Sequence, residues 1–231
     1  ICVVTTTMVW QHGASEAMIC IWKCYKPYAR TRRDQQRMTP GKLQHKPINQ
    51  TANKIGTGTN LESIIHNQKK YGYDVCACFT NNPKAGGIHI CEDHGLECKV
   101  IDNNYFTDRE EYDKEIDLYL NSIEPDFIIL AGYMRIFSSC LVDNWEGQIV
   151  NIHPSLLPKY PGLNTHQRAL DAGDKYHGTT IHFVTSELDD GPIIRQESFE
   201  IEPSDDPNSL MNKIKEIEHR IYPETISFLN K

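Results

Sequence analysis

The chain has 231 residues, of which 39% are apolar and 24% are charged, and its 24 basic and 31 acidic side chains give a net charge of −7. This length and composition indicate one large or two small folded domains and exclude a fully disordered chain. The longest apolar run, Phe127 to Met134, falls well short of the about 20 residues that cross a bilayer, and the negative charge disfavours wholesale nucleic-acid binding, so we expect neither a membrane nor a nucleic acid as partner.

Charge is divided unevenly along the chain. Residues 1–53 carry eight Lys and Arg against two acidic residues, a balance of +6, whereas residues 54–231 carry 16 basic and 29 acidic groups, a balance of −13. This asymmetry predicts a basic, poorly ordered extension over residues 1–53 and a folded domain over residues 54–231.

The eight cysteines are scattered and form no CxxC pair, so the spacing of a structural metal site is absent from the sequence. Reduced thiols, a cytoplasmic location and no bound metal are the expectations. An organellar location is the alternative if the basic extension is a transit segment.

From residue 54 onward, apolar strand patterns alternate with helical ones. A helix follows the cap-like Asn60, with Leu61, Ile64 and Ile65 on its apolar face. The further elements predicted before residue 133 are a strand at Asp74–Asn81, a short strand within Gly95–Asp102, a helix at Thr107–Ile123 and a strand at Asp126–Gly132.

A proline-rich loop, His153–Gly162, interrupts this alternation. The elements predicted after it are a short helix near His166–Ala172, a strand at Gly178–Thr185, a turn at Asp189–Pro192, a strand at Ile193–Phe199 and a last helix that starts at Ser204–Pro207. Strands that are apolar on both faces and alternate with helices predict an open, mostly parallel α/β sheet with helices on both faces.

The stretch Gly56–Asn60 is a glycine-rich loop that ends where the first predicted helix begins. Backbone N–H groups at such a helix start can bind a phosphate, although a plain turn explains the glycines as well. The strand that should precede this loop is missing, because Asn49–Lys54 is polar. Either Ile1–Val9 supplies that strand from afar, or the sequence before Ile55 departs from what the fold requires.

Asn151 and His153 lie two residues apart at the end of a buried strand, so both side chains can point the same way. An amide and an imidazole aimed at one point suit the stabilisation of an oxyanion followed by proton transfer. A carboxylate such as Asp189 beside His153 would orient the ring and favour its charged form. A histidine that only satisfies loop backbone, and a solvated acidic turn, are the alternatives that these residues leave open.

The motifs Asn151–Gly162 and Thr179–Pro192 are similar to those of the phosphoribosylglycinamide formyltransferases, a folate-dependent family of de novo purine synthesis. The resemblance runs from about Ile55 to near the C-terminus and does not cover residues 1–53. It implies the Rossmann-like formyltransferase fold, and it makes residues 54–231 the catalytic domain of a monomer or homodimer. The implied reaction transfers the formyl group of the co-substrate 10-formyltetrahydrofolate to the amine of glycinamide ribonucleotide without a metal.

The resemblance also implies roles for individual residues. The catalytic group is implied to be Asn151, His153 and Asp189. The ribonucleotide contacts are implied to be Gly58, Thr59, Asn60, Lys215, Glu216, Ile217 and Glu218. The folate contacts are implied to be Arg109, Met134, Arg135, Ile136, Phe137, Asn151, Thr185, Ser186, Glu187, Leu188 and Asp189. Core packing for Ile217 and a solvated charge for Arg109 are the competing interpretations.

Three alternatives share the same fold. Methionyl-tRNA formyltransferases usually have Tyr-Arg-Gly-Ala where this chain has Tyr-Pro-Gly-Leu at residues 160–163. Formyltetrahydrofolate hydrolases tend to have a second histidine at the position of Pro154. An inactive folate- or nucleotide-binding relic is the third alternative, motivated by the missing first strand.

Overall fold

The computed structural model describes residues 18–23 and 58–229. Within these ranges, seven strands form one sheet and six α-helices pack against it. The strands are β1 (Met18–Lys23), β2 (Asp74–Thr80), β3 (Cys98–Val100), β4 (Phe127–Ala131), β5 (Ile149–His153), β6 (Tyr176–Phe183) and β7 (Ile193–Glu200). The helices are α1 (Thr59–Tyr71), α2 (Gly87–Asp93), α3 (Arg109–Ile123), α4 (Ser139–Asn144), α5 (Thr165–Asp171) and α6 (Pro207–Ile226).

The strand order across the sheet is β3-β2-β1-β4-β5-β6-β7. Neighbours β2 and β3 are parallel, as are β4 and β5, while β1 is antiparallel to both β2 and β4, and β6 is antiparallel to β5 and β7. Five of the seven strands therefore run in one direction, with β1 and β6 reversed. The predicted open, mostly parallel sheet is confirmed.

Two apolar clusters lie on opposite faces of the sheet. On one face, Leu61 and Ile64 of α1 and Ile221 of α6 pack over the strands. On the other face, Tyr112 and Ile116 of α3 lie in the same cluster as buried side chains of α4. Helices thus cover both faces, because the strands between them are apolar on both sides. None of the helices in the described ranges is long and apolar enough to span a bilayer.

The first strand comes from within the segment that composition assigned to the extension. Met18–Lys23 fills the position between β2 and β4, with Met18 in one apolar cluster and Ile19 and Ile21 in the other. The sheet therefore includes residues that precede the predicted boundary between residues 53 and 54. The charge balance of residues 1–53 as a whole does not reveal this short apolar run. The suggested strand Ile1–Val9 lies outside the described residues, and so does the rest of the extension.

Two short helices, α2 and α4, are absent from the sequence prediction. Helix α2 lies so close to β1 that a Cβ on Gly87 would come within 2.6 Å of the Met18 side chain. Glycine at this position lets the helix approach the strand, a packing requirement that depends on a remote residue. The predicted strand within Gly95–Asp102 is only three residues long, Cys98–Val100, and forms the edge of the sheet.

Candidate active site

Strand β5 places two of the implied catalytic residues at its carboxyl end. Asn151 and His153 lie two residues apart, and in the antiparallel register they face His182 and Thr180 of β6. Ligands bind beyond the carboxyl ends of strands in open α/β sheets. The end of β5 is therefore the place to look for reacting groups.

Asp189 reaches this point from the turn after β6. Its Oδ2 lies 3.3 Å from Nδ1 of His153, and the two side chains are only 9% and 8% exposed. The N–H of Gly162 donates to the same oxygen at 2.8 Å. The turn is tight, since a Cβ on Gly191 would lie 1.7 Å from the carbonyl oxygen of Phe183. Glycine here is what lets the chain fold back and bring the carboxylate to the ring.

The second ring nitrogen of His153 also faces an oxygen. Its Nε2 lies 2.9 Å from the carbonyl oxygen of Tyr160. Only the imidazolium form donates from both nitrogens. The surroundings of His153, an aspartate oxygen on one side and a carbonyl oxygen on the other, therefore suit a charged ring.

His182 is a site residue that sequence reasoning missed. Its Nδ1 lies 2.9 Å from the carbonyl oxygen of Phe183, so this nitrogen carries the proton, and Nε2 faces the amide nitrogen of Asn151 at 3.3 Å. Burial lowers the pKa of His182, although Asp189, whose Oδ1 lies 3.8 Å from Nε2, opposes the shift, and a neutral ring lets Nε2 accept from the amide. His182 thus fixes the orientation of Asn151. Only the register of β5 against β6 identifies this pair.

The loop that supplies the Tyr160 carbonyl is held by groups outside it. The Tyr160 hydroxyl donates to Asp174 at 2.9 Å, and Lys159 donates to the same carboxylate at 2.9 Å. The Arg168 guanidinium donates to the carbonyl oxygen of Pro161 at 2.6 Å. These contacts fix the carbonyl that faces His153 and the nearby N–H that binds Asp189.

The implied phosphate loop forms the start of α1. Gly58 has a left-handed backbone (φ 71°) and no side chain to bond the N–H groups of the first turn. Asn60, expected as a cap, lies instead inside the helix, because Gly58 takes the capping position. A helix start with N–H groups left for a ligand is a suitable place for a phosphate.

The Asn60 side chain points to another implied contact residue. Its amide nitrogen donates to Glu218 at 2.9 Å, and its Oδ1 is buried with no hydrogen-bond partner among the described residues. A buried acceptor without a donor is costly unless a ligand supplies one. This oxygen is therefore available to a donor on a bound substrate.

Glu218 connects the helix start to the His153 region. The Glu218 carboxyl is buried and contacts Asn60 and, at 3.2 Å, the Thr179 hydroxyl. That hydroxyl also donates to the carbonyl oxygen of His153 at 2.9 Å. Burial raises the pKa of Glu218, while its hydrogen-bond partners oppose the shift. One chain of contacts thus joins the implied ribonucleotide and catalytic residues.

The remaining implied ribonucleotide residues lie on α6 in three different environments. Lys215 is half-buried and Glu216 is exposed. Ile217 packs against the core, so its side chain serves the packing of α6.

The implied folate segment, Met134–Phe137, follows β4. Met134 and Ile136 are 49% and 43% exposed, while Phe137 is buried and stacks on Tyr133 with ring centroids 4.9 Å apart. The Arg135 guanidinium lies over the Tyr112 ring at 4.6 Å. An anchored loop that presents two apolar side chains to solvent can pack against an aromatic ligand.

The other implied folate contacts lie on separate elements. Arg109 is exposed in the first turn of α3. Thr185–Leu188 forms the loop between β6 and Asp189, within which the Thr185 hydroxyl donates to the Glu187 carbonyl at 3.3 Å. Ser186 and Leu188 are exposed. Within residues 18–23 and 58–229, no group of three or more His, Cys, Asp or Glu side chains could hold a metal ion.

The formyl transferase family matches residues 52–226 of the chain. The chain is 42% identical to the phosphoribosylglycinamide formyltransferase of Escherichia coli (strain K12) over 175 residues, which are 75% of this chain and 82% of that protein. It is 38% identical to the trifunctional purine biosynthetic protein adenosine-3 of Gallus gallus, over 82% of this chain and 19% of that protein. The crystal structure of phosphoribosylglycinamide formyltransferase from Bacillus halodurans is similar, with a TM-score of 0.72, 40% identity, and 75% and 90% of the two chains covered.

Proposed function

The chain belongs to the formyl transferase family, and we propose that it transfers the formyl group of 10-formyltetrahydrofolate to the amine of glycinamide ribonucleotide in purine biosynthesis. The observation that carries the proposal is the placement of His153 between Asp189 and the Tyr160 carbonyl, beside an amide that His182 orients. This arrangement provides two donors, one of them suited to carry a charge, at the end of β5.

The proposed chemistry is direct transfer between the two substrates. The ribonucleotide amine attacks the formyl carbon, and the carbonyl oxygen becomes an oxyanion. The Asn151 amide and the Nε2–H of His153 stabilise that oxyanion, which takes the place of the Tyr160 carbonyl as the acceptor for Nε2–H, and Asp189 supports the charge on the ring from Nδ1. The amine loses one proton, N10 of the folate gains one, and the bond between the formyl carbon and N10 breaks. The products are the formylated amine and tetrahydrofolate, with no covalent enzyme intermediate.

The two substrates are proposed to bind at different parts of the edge that the carboxyl ends of the strands form. The start of α1, with Gly58 and Thr59, takes the phosphate, and the free Oδ1 of Asn60 accepts a donor from the ribonucleotide. Met134 and Ile136 pack against the folate from the loop after β4. Pro154 stands where hydrolases tend to have a second histidine, and this difference supports an amine as the acceptor in place of water.

A formyl-transfer assay with three acceptors tests this proposal. Purified protein and 10-formyltetrahydrofolate are incubated with glycinamide ribonucleotide, with formylatable tRNA, or with water as the only acceptor. We expect tetrahydrofolate release that depends on the ribonucleotide and saturates with it, and no formyl-tRNA. Release at the same rate without the ribonucleotide, or formylation of tRNA alone, would replace the proposal with one of the other two reactions.

A further inference from the structure

Asp113 of α3 is a buried ionisable residue that the proposed chemistry does not use. Its side chain is 3% exposed, and burial raises its pKa. Taking a carboxylate out of water is unfavourable unless hydrogen bonds and positive charge compensate for it. The groups that surround Asp113 therefore indicate why a carboxylate lies there.

The compensating hydrogen bonds come from Ser138, the residue that directly follows the folate segment Met134–Phe137. The backbone N–H of Ser138 donates to Oδ2 of Asp113 at 2.5 Å. Ser138 is also the N-cap of α4, where its hydroxyl oxygen accepts the N–H of Leu141 at 3.4 Å. Asp113 thus holds the backbone at the point where the segment ends and α4 begins.

Side chains of the segment itself pack on the same helix. The guanidinium of Arg135 lies over the ring of Tyr112, the residue before Asp113, and its charge opposes the rise in the Asp113 pKa. Tyr133, the residue before the segment, stacks on Phe137, the last residue of the segment. The exposed Met134 and Ile136 therefore project from a loop whose two ends are both anchored.

We propose that Asp113 is a positioning residue, which fixes the Met134–Phe137 loop against α3 in the shape that binds the folate co-substrate. This inference rests on the proposed function, since that function makes the loop a folate contact. A loop held in its binding shape before the ligand arrives does not lose conformational freedom on binding, and the gain appears as affinity. Losing the anchor should therefore weaken folate binding more than it slows the reaction of bound substrates.

Steady-state kinetics of the full chain with Asp113→Ala and Asp113→Asn test the role. For Asp113→Ala we expect the KM for 10-formyltetrahydrofolate to rise about tenfold, which corresponds to about 1.4 kcal/mol, with kcat and the KM for the ribonucleotide within about twofold of the parent. Asp113→Asn keeps an oxygen that can accept the Ser138 N–H, so we expect it to restore a KM near that of the parent. A purely structural role would lower the melting temperature and the active fraction without moving this KM, and that result would overturn the inference.

Thr225→Val is the matched control. Thr225 is also buried, and its hydroxyl donates to the Ile221 carbonyl within α6, far along the chain from the folate segment. We expect this variant to lower the melting temperature and to leave both KM values unchanged. A folate KM that rises equally in both variants would assign the effect to general destabilisation and overturn the role of Asp113.

Two further measurements do not depend on turnover. The first uses the parent protein alone, and the second measures only binding. Amide hydrogen exchange of the ligand-free parent should show Ser138 protected well above the amides of residues 134–136, and equal exchange would overturn the anchor even if Asp113→Ala does not fold. Calorimetric titration with tetrahydrofolate should show weaker binding to Asp113→Ala. This titration separates the two proposals, because it tests Asp113 even if the ribonucleotide proves not to be the acceptor.

Discussion

Two regions of the sheet are built on different principles. The His153 centre, made of Asn151, His153, Asp189 and the Tyr160 carbonyl, comes from strands and loops that follow one another in the chain. The β1 position, between β2 and β4, is filled by a remote segment that runs against both neighbours. The centre needs particular atoms at particular strand ends. The β1 position needs apolar side chains on both faces, and a reversed strand can supply them.

The largest effect should come from the His153 centre. His153→Ala removes the donor between Asp189 and the Tyr160 carbonyl and should lower kcat by about 10²- to 10³-fold, the loss typical of one oxyanion donor. The melting temperature should change little. The matched control is His89→Ala, since His89 is exposed on α2 and should leave turnover unchanged. Near-normal formylation by His153→Ala would contradict the proposed chemistry.

The β1 position should instead control stability. Ile19 is fully buried between Phe79 of β2 and Leu130 of β4, so Ile19→Ala should lower the free energy of unfolding by about 2–5 kcal/mol. Urea titration of the variant and the parent measures this loss. The control, Leu118→Ala on the exposed side of α3, should cost less than about 0.5 kcal/mol. Equal stability of the two variants would show that residues 18–23 do not form the central strand.

The same contrast explains what the sequence could predict. The strand at Phe127–Ala131 and the start of the last helix follow from local patterns, and the structure places both within a few residues of the prediction. Asn151 and His153 could be placed on one side of a strand because side chains alternate along it. In each of these cases, the information lies within one element.

Other features depend on contacts between remote residues. Met18–Lys23 looks like part of a basic extension until β2 and β4 are seen to need a partner. His182 becomes a site residue only through its register opposite Asn151, and Asp113 only through the N–H of Ser138. No local pattern marks such pairs, because neither partner alone shows which remote residue it contacts.

A pH titration distinguishes β6, which carries a buried histidine, from the apolar β1 position. His177 of β6 is buried, its Nε2 faces Nδ1 of His166 at 2.9 Å, and burial lowers its pKa to about 4. Between pH 6.5 and 4 the unfolded chain binds a proton here that the folded chain does not. The free energy of unfolding therefore has its full value above pH 6.5. It decreases by about 3 kcal/mol as the pH falls to 4.

His177→Gln removes the titrating group and keeps a hydrogen-bonding side chain beside His166. Urea titrations between pH 7 and pH 4 should therefore show a shallower loss of stability in this variant than in the parent. Ile19→Ala should lower stability by the same amount at every pH, because the residue it changes carries no proton. Parallel pH profiles for the parent and His177→Gln would show that His177 titrates alike in the folded and unfolded chains.

The smallest effect should come from the α1 start, which lies beside the β1 position but acts on ligand binding. Asn60→Ala removes the free Oδ1 and the donor to Glu218, and the loss of one such hydrogen bond costs about 1 kcal/mol. The Kd for the ribonucleotide should therefore rise about fivefold while the KM for the folate stays constant. The control is Asn67→Ala, at the next asparagine of α1. This variant loses only a bond to the Ser63 carbonyl and should bind the ribonucleotide normally. If both variants bind equally well, the α1 start is only a helix start, and the ribonucleotide must be held elsewhere along the edge.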